Sequence, residues 1–256
     1  MKANVLGLDG KVVKSITLPK VFSAPVEPYL IKRAVIALQS HKRQPQGRDP
    51  LAGKRAVAYS WGVGHGLARV PRLSNRTARF APGTVKGRLA HPPRAEKKIY
   101  LKINRKEKKL ALISAIAATA KKEIVQARGH IVGDLTLPVV VTDEFENLEK
   151  TKDVINALTA VGIEDIYRVR KKIRAGKGKR RGRKYKVSKG PLIVVSKKDV
   201  KVYNAARNIA GVEIVPVDSL NVELLAPGTV PGRLTIWTET AISSLKKYDE
   251  IMVLAR

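Results

Sequence analysis

The sequence predicts an α/β fold: a three-layer body, a mostly parallel sheet with helices on both faces, plus a long extended basic loop without regular structure. Three observations predict it. Through the second half of the chain, short apolar runs alternate with stretches of helical period, the pattern of parallel strands joined by helices. Most of the charge is confined to two segments, so the remainder can pack. Between the first two helical stretches, residues 41–95 show no sustained period and hold six Pro and seven Gly, which interrupt any helix that starts there.

The body opens with apolar runs at residues 3–8 and 12–18, joined at Asp9-Gly10, a dipeptide that tolerates the positive φ of a tight hairpin. From Pro28, the positions Leu30, Ile31, Ala34, Val35 and Leu38 recur at helical spacing, predicting a helix that ends near His41. A second helix is expected from Asn104, with Glu107 completing a capping box. Its buried stripe is Leu110, Ile113, Ala117, Ala120 and Ile124, and Gly129 stops it. Residues 137–142 read as a buried strand, Val154 to Val161 as a helix stopped at Gly162, and residues 163–169 as a returning strand. The unit repeats in outline: strand 192–196, a helix through Val202, Ala206 and Ile209, strand 212–217, then strand 234–237 and a helix carrying Ala241, Ile242, Leu245 and Tyr248. Whether residues 251–256 join the sheet is left open.

A chain of 256 residues with 44% hydrophobic content can bury a core. It carries 51 Lys and Arg against 21 Asp and Glu, a formal charge of +30, which calls for a polyanionic partner. Residues 42–94 hold twelve cations against one carboxylate, and residues 168–189 hold thirteen against none. The chain has no Cys, which excludes disulfides, thiolate metal sites and a cysteine nucleophile. Apolar runs are too short to span a bilayer, so no membrane partner and a soluble, cytoplasmic protein are expected.

The loop mixes cations with flat rings. Arg43, Arg48, Lys54, Arg55, Arg69, Arg72, Arg76, Arg79, Lys86, Arg88 and Arg94 can neutralise phosphates, and Tyr59, Trp61 and Phe80 can stack on unpaired bases. A second basic segment, residues 171–189, supplies Lys171, Lys172, Arg174, Lys177, Lys179, Arg180, Arg181, Arg183 and Lys184 between glycines that let backbone approach phosphate. It is placed where a strand hands over to a helix. His41, His65, His91 and His130 stand singly and are read as RNA-contacting or surface imidazoles, with His65 and His91 placed in the RNA-binding set. The acidic group Asp143, Glu144, Glu146 and Glu149 is read as a solvated approach to a helix. No metal or other cofactor is expected.

Several motifs are specific. Ser60-Trp61-Gly62-Val63-Gly64-His65-Gly66, Ala68-Arg69-Val70-Pro71-Arg72, Ala90-His91-Pro92-Pro93 and residues 110–120 closely resemble the universal large-subunit ribosomal protein L-four family in its archaeal and eukaryotic form, as do the 17–25 opening and Arg43-Gln44-Pro45. The resemblance spans essentially the whole chain. It implies one globular α/β ribosomal-protein domain over residues 1–256, with residues 44–93 an extended loop inserted in large-subunit rRNA and residues 171–189 a second RNA-binding loop. It also implies that the loop's turn-round, between residues 69 and 86, faces the nascent-peptide exit tunnel beside the L-twenty-two protein. Arg72, Asn75, Arg76, Arg79 and Phe80 are the tip residues expected there, with the nascent peptide passing them.

An enzyme is the weaker reading. Gly62-x-Gly64-x-Gly66 places Leu67 where a dinucleotide motif wants Gly, and it lies in the Pro-broken loop, not in a strand-helix-strand unit. A general nucleic-acid-binding or chromatin protein would explain the charge, but no recognition helix or zinc finger appears. Alone, the loop is expected to be disordered and cut first by trypsin, because it cannot bury enough surface to offset its conformational entropy.

Overall fold

A computed structural model describes residues 1–249; residues 250–256, and with them the question of a last strand, lie outside the described part. The chain forms two compact units, Met1–Gln39 with Leu101–Arg256, and Ser40–Tyr100.

The first unit is built on a six-stranded sheet. Strands β1 (Lys2–Leu6) and β2 (Val12–Thr17) form the antiparallel hairpin, with Gly10 at φ +75° in its turn. Helix α1 (Pro28–Ser40) follows, and Ile31, Ala34 and Val35 are buried on its inner face. Helices α2 (Arg105–Thr119) and α3 (Lys122–Ala127) precede β3 (Val139–Val141), and α4 (Thr151–Ala160) and α5 (Asp165–Arg168) come next. A small separate hairpin, β4 (Lys172–Ile173) with β5 (Tyr185–Lys186), leads to β6 (Leu192–Val195), α6 (Val202–Ala206), β7 (Glu213–Pro216), α7 (Val222–Leu225), β8 (Thr235–Thr238) and α8 (Glu239–Ser244). The sheet order is β2-β1-β3-β8-β6-β7, parallel except for the β1–β2 pair.

Alternation along the strands makes two cores, because successive side chains leave opposite faces. Val140, Leu192, Val194 and Trp237 join one cluster with Phe22, Ile31, Ile116 and Ile242. Val139, Val141, Ile193, Val195 and Ile236 join the other with Phe145, Leu158, Ile163 and Ala206. Phe22 meets Trp237 edge-on, with centroids 5.6 Å apart at 84°. This is the three-layer arrangement.

Several elements depart from the sequence reading. Residues 163–169 are not a strand. Ile163, Ile166 and Val169 are buried at intervals of three around α5, a spacing that the short apolar run concealed, so the outline repeat is broken there. The long second helix is two. The Thr119 hydroxyl donates to the Ile116 carbonyl at 2.7 Å, competing with backbone donors in the last turn of α2, and Lys121 is extended at φ −92°, ψ 109°. Asn104 makes no side-chain cap to α2; Glu107 instead accepts from Arg33 of α1 at 3.2 Å, so no capping box closes.

Of the acidic group, Glu144 and Glu149 are exposed as a solvated approach would be, but Asp143 and Glu146 are not. Glu146 accepts from the Ser196 N–H at 2.7 Å, the Ser196 hydroxyl at 2.6 Å and the Thr238 hydroxyl at 2.7 Å. Asp143 accepts from the Thr240 N–H and hydroxyl at 3.0 and 2.5 Å. These carboxylates fasten the carboxyl ends of β6 and β8, the crevice where open α/β sheets place ligands.

His130 is also corrected: it is buried, its Nδ1 2.8 Å from an oxygen of the wholly buried Asp165. Asp165 further accepts from Arg168 Nε at 2.7 Å. Burial alone would raise the Asp165 carboxyl, but the bonds from His130 and Arg168 outweigh it and hold the group at about 2 against an ordinary 3.8. A depressed folded value stabilises above the unfolded value and is lost on acidification. Asp165→Asn is therefore expected to cost about 2 kcal/mol at neutral pH, and to flatten the loss of stability as pH falls from about 4 to about 2. Urea titrations of both proteins across that window check it; parallel curves would contradict it.

Candidate nucleic-acid interface

Beyond Ser40, the last residue of α1, the second unit has no helix or strand, yet its backbone is not featureless. At its root the rings of His41 and Tyr100 lie 5.4 Å apart. The Arg48 N–H donates to the Pro93 carbonyl at 2.9 Å, tying the outgoing leg to the returning one. Further out the legs touch at Gly53, whose φ is +80° and where an added Cβ would lie 2.6 Å from the Arg88 nitrogen. Isolated antiparallel bridges then join Tyr59 to Arg72 and Arg72 to Ala78. The chain thus reverses twice, across residues 60–71 and 73–77, the second turn closed by the Leu73 N–H on the Thr77 carbonyl at 3.0 Å.

No residue from 41 to 100 is buried. Pro, Gly and cations at this density leave nothing from which to build a core, so the unit lacks the apolar burial that normally offsets the entropy of ordering. Its one carboxylate within residues 42–94, Asp49, accepts the Leu51 N–H and pairs with Arg55, and those contacts lower its pKa.

The predicted residues fall into groups. Arg43, Arg48, Lys54, Arg55, Tyr59, His65, Arg69, Arg76, Phe80, Lys86, His91 and Arg94 are exposed, and Trp61, Arg72, Arg79 and Arg88 are half-buried. Trp61 stands edge-on to His65, centroids 5.9 Å apart, and Arg88 lies 6.0 Å from the Phe80 ring. Two guanidinium groups serve the loop's own shape. Arg72 donates to the Arg76 carbonyl at 2.8 Å and to that of Ala68 at 3.3 Å, and Arg79 donates to the Val85 carbonyl at 2.7 Å. Arg76, Phe80 and Lys86 adopt φ of +67°, +64° and +60°, left-handed conformations that side chains disfavour and that cluster at functional sites.

The other basic segment belongs to the first unit and forms a hairpin, not a handover from strand to helix. Lys171, Lys172, Arg174, Lys177, Lys179, Arg180, Arg181, Arg183 and Lys184 are all exposed on it. Gly176 and Gly182, both at φ +74°, bound its tip. Arg174 Nε donates to the Arg183 carbonyl at 3.2 Å across the hairpin. Tyr185 is flanked by the ammonium groups of Lys171 at 4.2 Å and Lys184 at 5.6 Å. Lys172 faces Lys186 in register, and like charges directly opposite destabilise a ladder. Lys186, which the sequence reading did not single out, joins this exposed cationic surface; only its partner across the strands reveals it.

The chain matches the Ribosomal protein L4/L1 family over residues 16–248. It is 51% identical over 252 residues to the large ribosomal subunit protein uL4 of Archaeoglobus fulgidus, covering 97% of this chain and 99% of the relative. It is 52% identical over 255 residues to that of Methanoculleus marisnigri, with 97% and 100% covered, and 48% identical over 253 residues to that of Sulfolobus acidocaldarius, with 97% and 95% covered. Each of these relatives is a protein of the large ribosomal subunit by name. With a match across nearly its whole length and half of its residues shared with relatives of the same size, the chain belongs to the ribosomal protein L4/L1 family.

Proposed function

We propose that this chain is a structural constituent of the large ribosomal subunit, in the cytoplasm, that binds large-subunit rRNA through the 44–93 loop and the 171–189 hairpin and supports assembly of the particle. The observation that carries this reading is the second unit: twelve cations face one carboxylate within residues 42–94, and no residue from 41 to 100 is buried. Such a segment gains its partner surface from outside, and folded RNA supplies both the phosphates and the unpaired bases that its arginines and rings suit.

Within this reading the sheet body is the anchor. The tip, with Asn75, Arg76 and Phe80 presented outward and Arg72 and Arg79 holding its turns, lines part of the nascent-peptide exit tunnel beside the L-twenty-two protein. The reading as a chromatin or general nucleic-acid-binding protein is separated from this one by competition at equal salt. Structured large-subunit rRNA is expected to bind far more tightly than duplex DNA. With ten phosphate contacts the log-log slope against salt is roughly −7 to −9. Equal affinity for DNA, or a nearly flat titration, overturns the proposal.

A further inference from the structure

We propose that the cleft between the two legs of the loop, near their base, is a pocket for a single unstacked RNA nucleotide whose base carries an exocyclic amine; this rests on the rRNA-binding reading above. The cleft has a volume of about 560 Å³, enough for one nucleotide. Its character differs from the rest of the loop. Pro50, Pro92 and Pro93 give it rigid apolar walls, and Arg48, Lys54 and Arg94 surround them with positive charge. Neither Lys54 nor Arg94 is held in an ion pair among the described residues. Glu96 adds a carboxylate to the lining.

These groups divide a nucleotide's chemistry between them. The cations suit its phosphate, an Arg guanidinium plane can stack on an unstacked base, and the proline rings flank that base with apolar van der Waals surface. Glu96 can only accept hydrogen bonds when ionised, so it favours a base edge with an amino donor. In the shape the loop takes against RNA, the Arg48 to Pro93 backbone bond, 2.9 Å, sets the separation of the walls. A groove that merely tracked the phosphate backbone would need neither the proline walls nor the carboxylate, and the carboxylate would weaken it.

The test uses the full chain and a large-subunit rRNA transcript, with affinity measured across salt and base accessibility read by dimethyl sulfate and kethoxal. The double variant Pro92→Ala/Pro93→Ala, which strips the apolar walls that hold the base in place, is expected to bind roughly tenfold more weakly, the low end of what one base contact is worth, at an unchanged salt slope. One unpaired nucleotide is expected to lose protection. Glu96→Gln, which leaves the walls in place, is expected to expose the same nucleotide while the remaining footprint stays. Lys177→Ala, in the distant-sequence hairpin, is expected to reduce the slope by roughly 0.7 to 0.9 and to leave that nucleotide protected. Wild-type affinity and footprint in both cleft variants, or a uniform loss of protection along the transcript, overturns the pocket alone. Failure of the wild-type chain to prefer the rRNA transcript overturns the pocket and the underlying reading together.

Discussion

Excision of residues 49–92, with Arg48 joined to Pro93 through two glycines, is expected to leave the sheet folded and to lower affinity for large-subunit rRNA about a thousandfold near physiological salt. The junction is permitted because these two residues already share a backbone hydrogen bond of 2.9 Å. The fold should survive because neither apolar core contains a residue from the excised stretch. The magnitude follows from the cations removed. Arg72 and Arg79 are committed to loop carbonyls and Arg55 to Asp49, which leaves Lys54, Arg69, Arg76, Lys86 and Arg88 to meet phosphates. Losing four or five such contacts reduces the salt slope by roughly 3 to 4, which between 1 M and 0.15 M salt amounts to about three orders of magnitude. Circular dichroism of the excised protein, with binding titrations at several salt concentrations, checks both halves. A tenfold loss or less would contradict the assignment of the loop as a principal contact.

The second large effect concerns Arg233, which is wholly buried. Its guanidinium donates to the Gly190 carbonyl at 2.8 Å, the Leu224 carbonyl at 3.0 Å and the Glu213 carboxylate at 2.5 Å. Burial lowers the pKa of Arg233, and Glu213 opposes that. Lys189 also pairs with Glu213. Removing Arg233 leaves the buried Gly190 carbonyl and the Leu224 carbonyl without their donor and the half-buried Glu213 with Lys189 alone, and breaking a network of this kind costs about 3 kcal/mol. Arg233→Ala is expected to lose stability on that scale, and Arg233→Met with Glu213→Gln to lose distinctly less, since the buried volume is refilled and the one charge left without its partner, Lys189, is exposed to solvent. Gly190 lies just past the basic hairpin, so the single variant should also weaken RNA binding by loosening the hairpin's root. Urea unfolding of the three proteins decides it; a single-variant loss under about 1 kcal/mol, ordinary for a surface change, would show that the network is not structural.

Much of the body was legible because its elements are periodic. The 28–40 helix, the strands around Val140, Ile193 and Trp237, and the hairpin at Gly10 follow from apolar spacing and one turn residue. The failures share a cause. The short helix at Asp165, the partnership of His130 with Asp165, the strand-end role of Glu146 and the burial of Arg233 are all set by residues distant in sequence, and a polar side chain carries no sign of its eventual partner. At the proposed interface, composition singled out both basic segments. It did not separate arginines that shape the loop from arginines free to meet phosphate, because that distinction depends on which carbonyls lie within reach.

The central claim is that residues 41–100 take a protected shape only against RNA, and amide hydrogen exchange of the full chain with and without large-subunit rRNA tests it most directly. The account predicts near-unprotected exchange across 41–100 in the free protein, beside slow exchange in the strands around Val140 and Val194, and strong protection of the loop once RNA is bound. Loop amides as slow in the free protein as in the complex would contradict it.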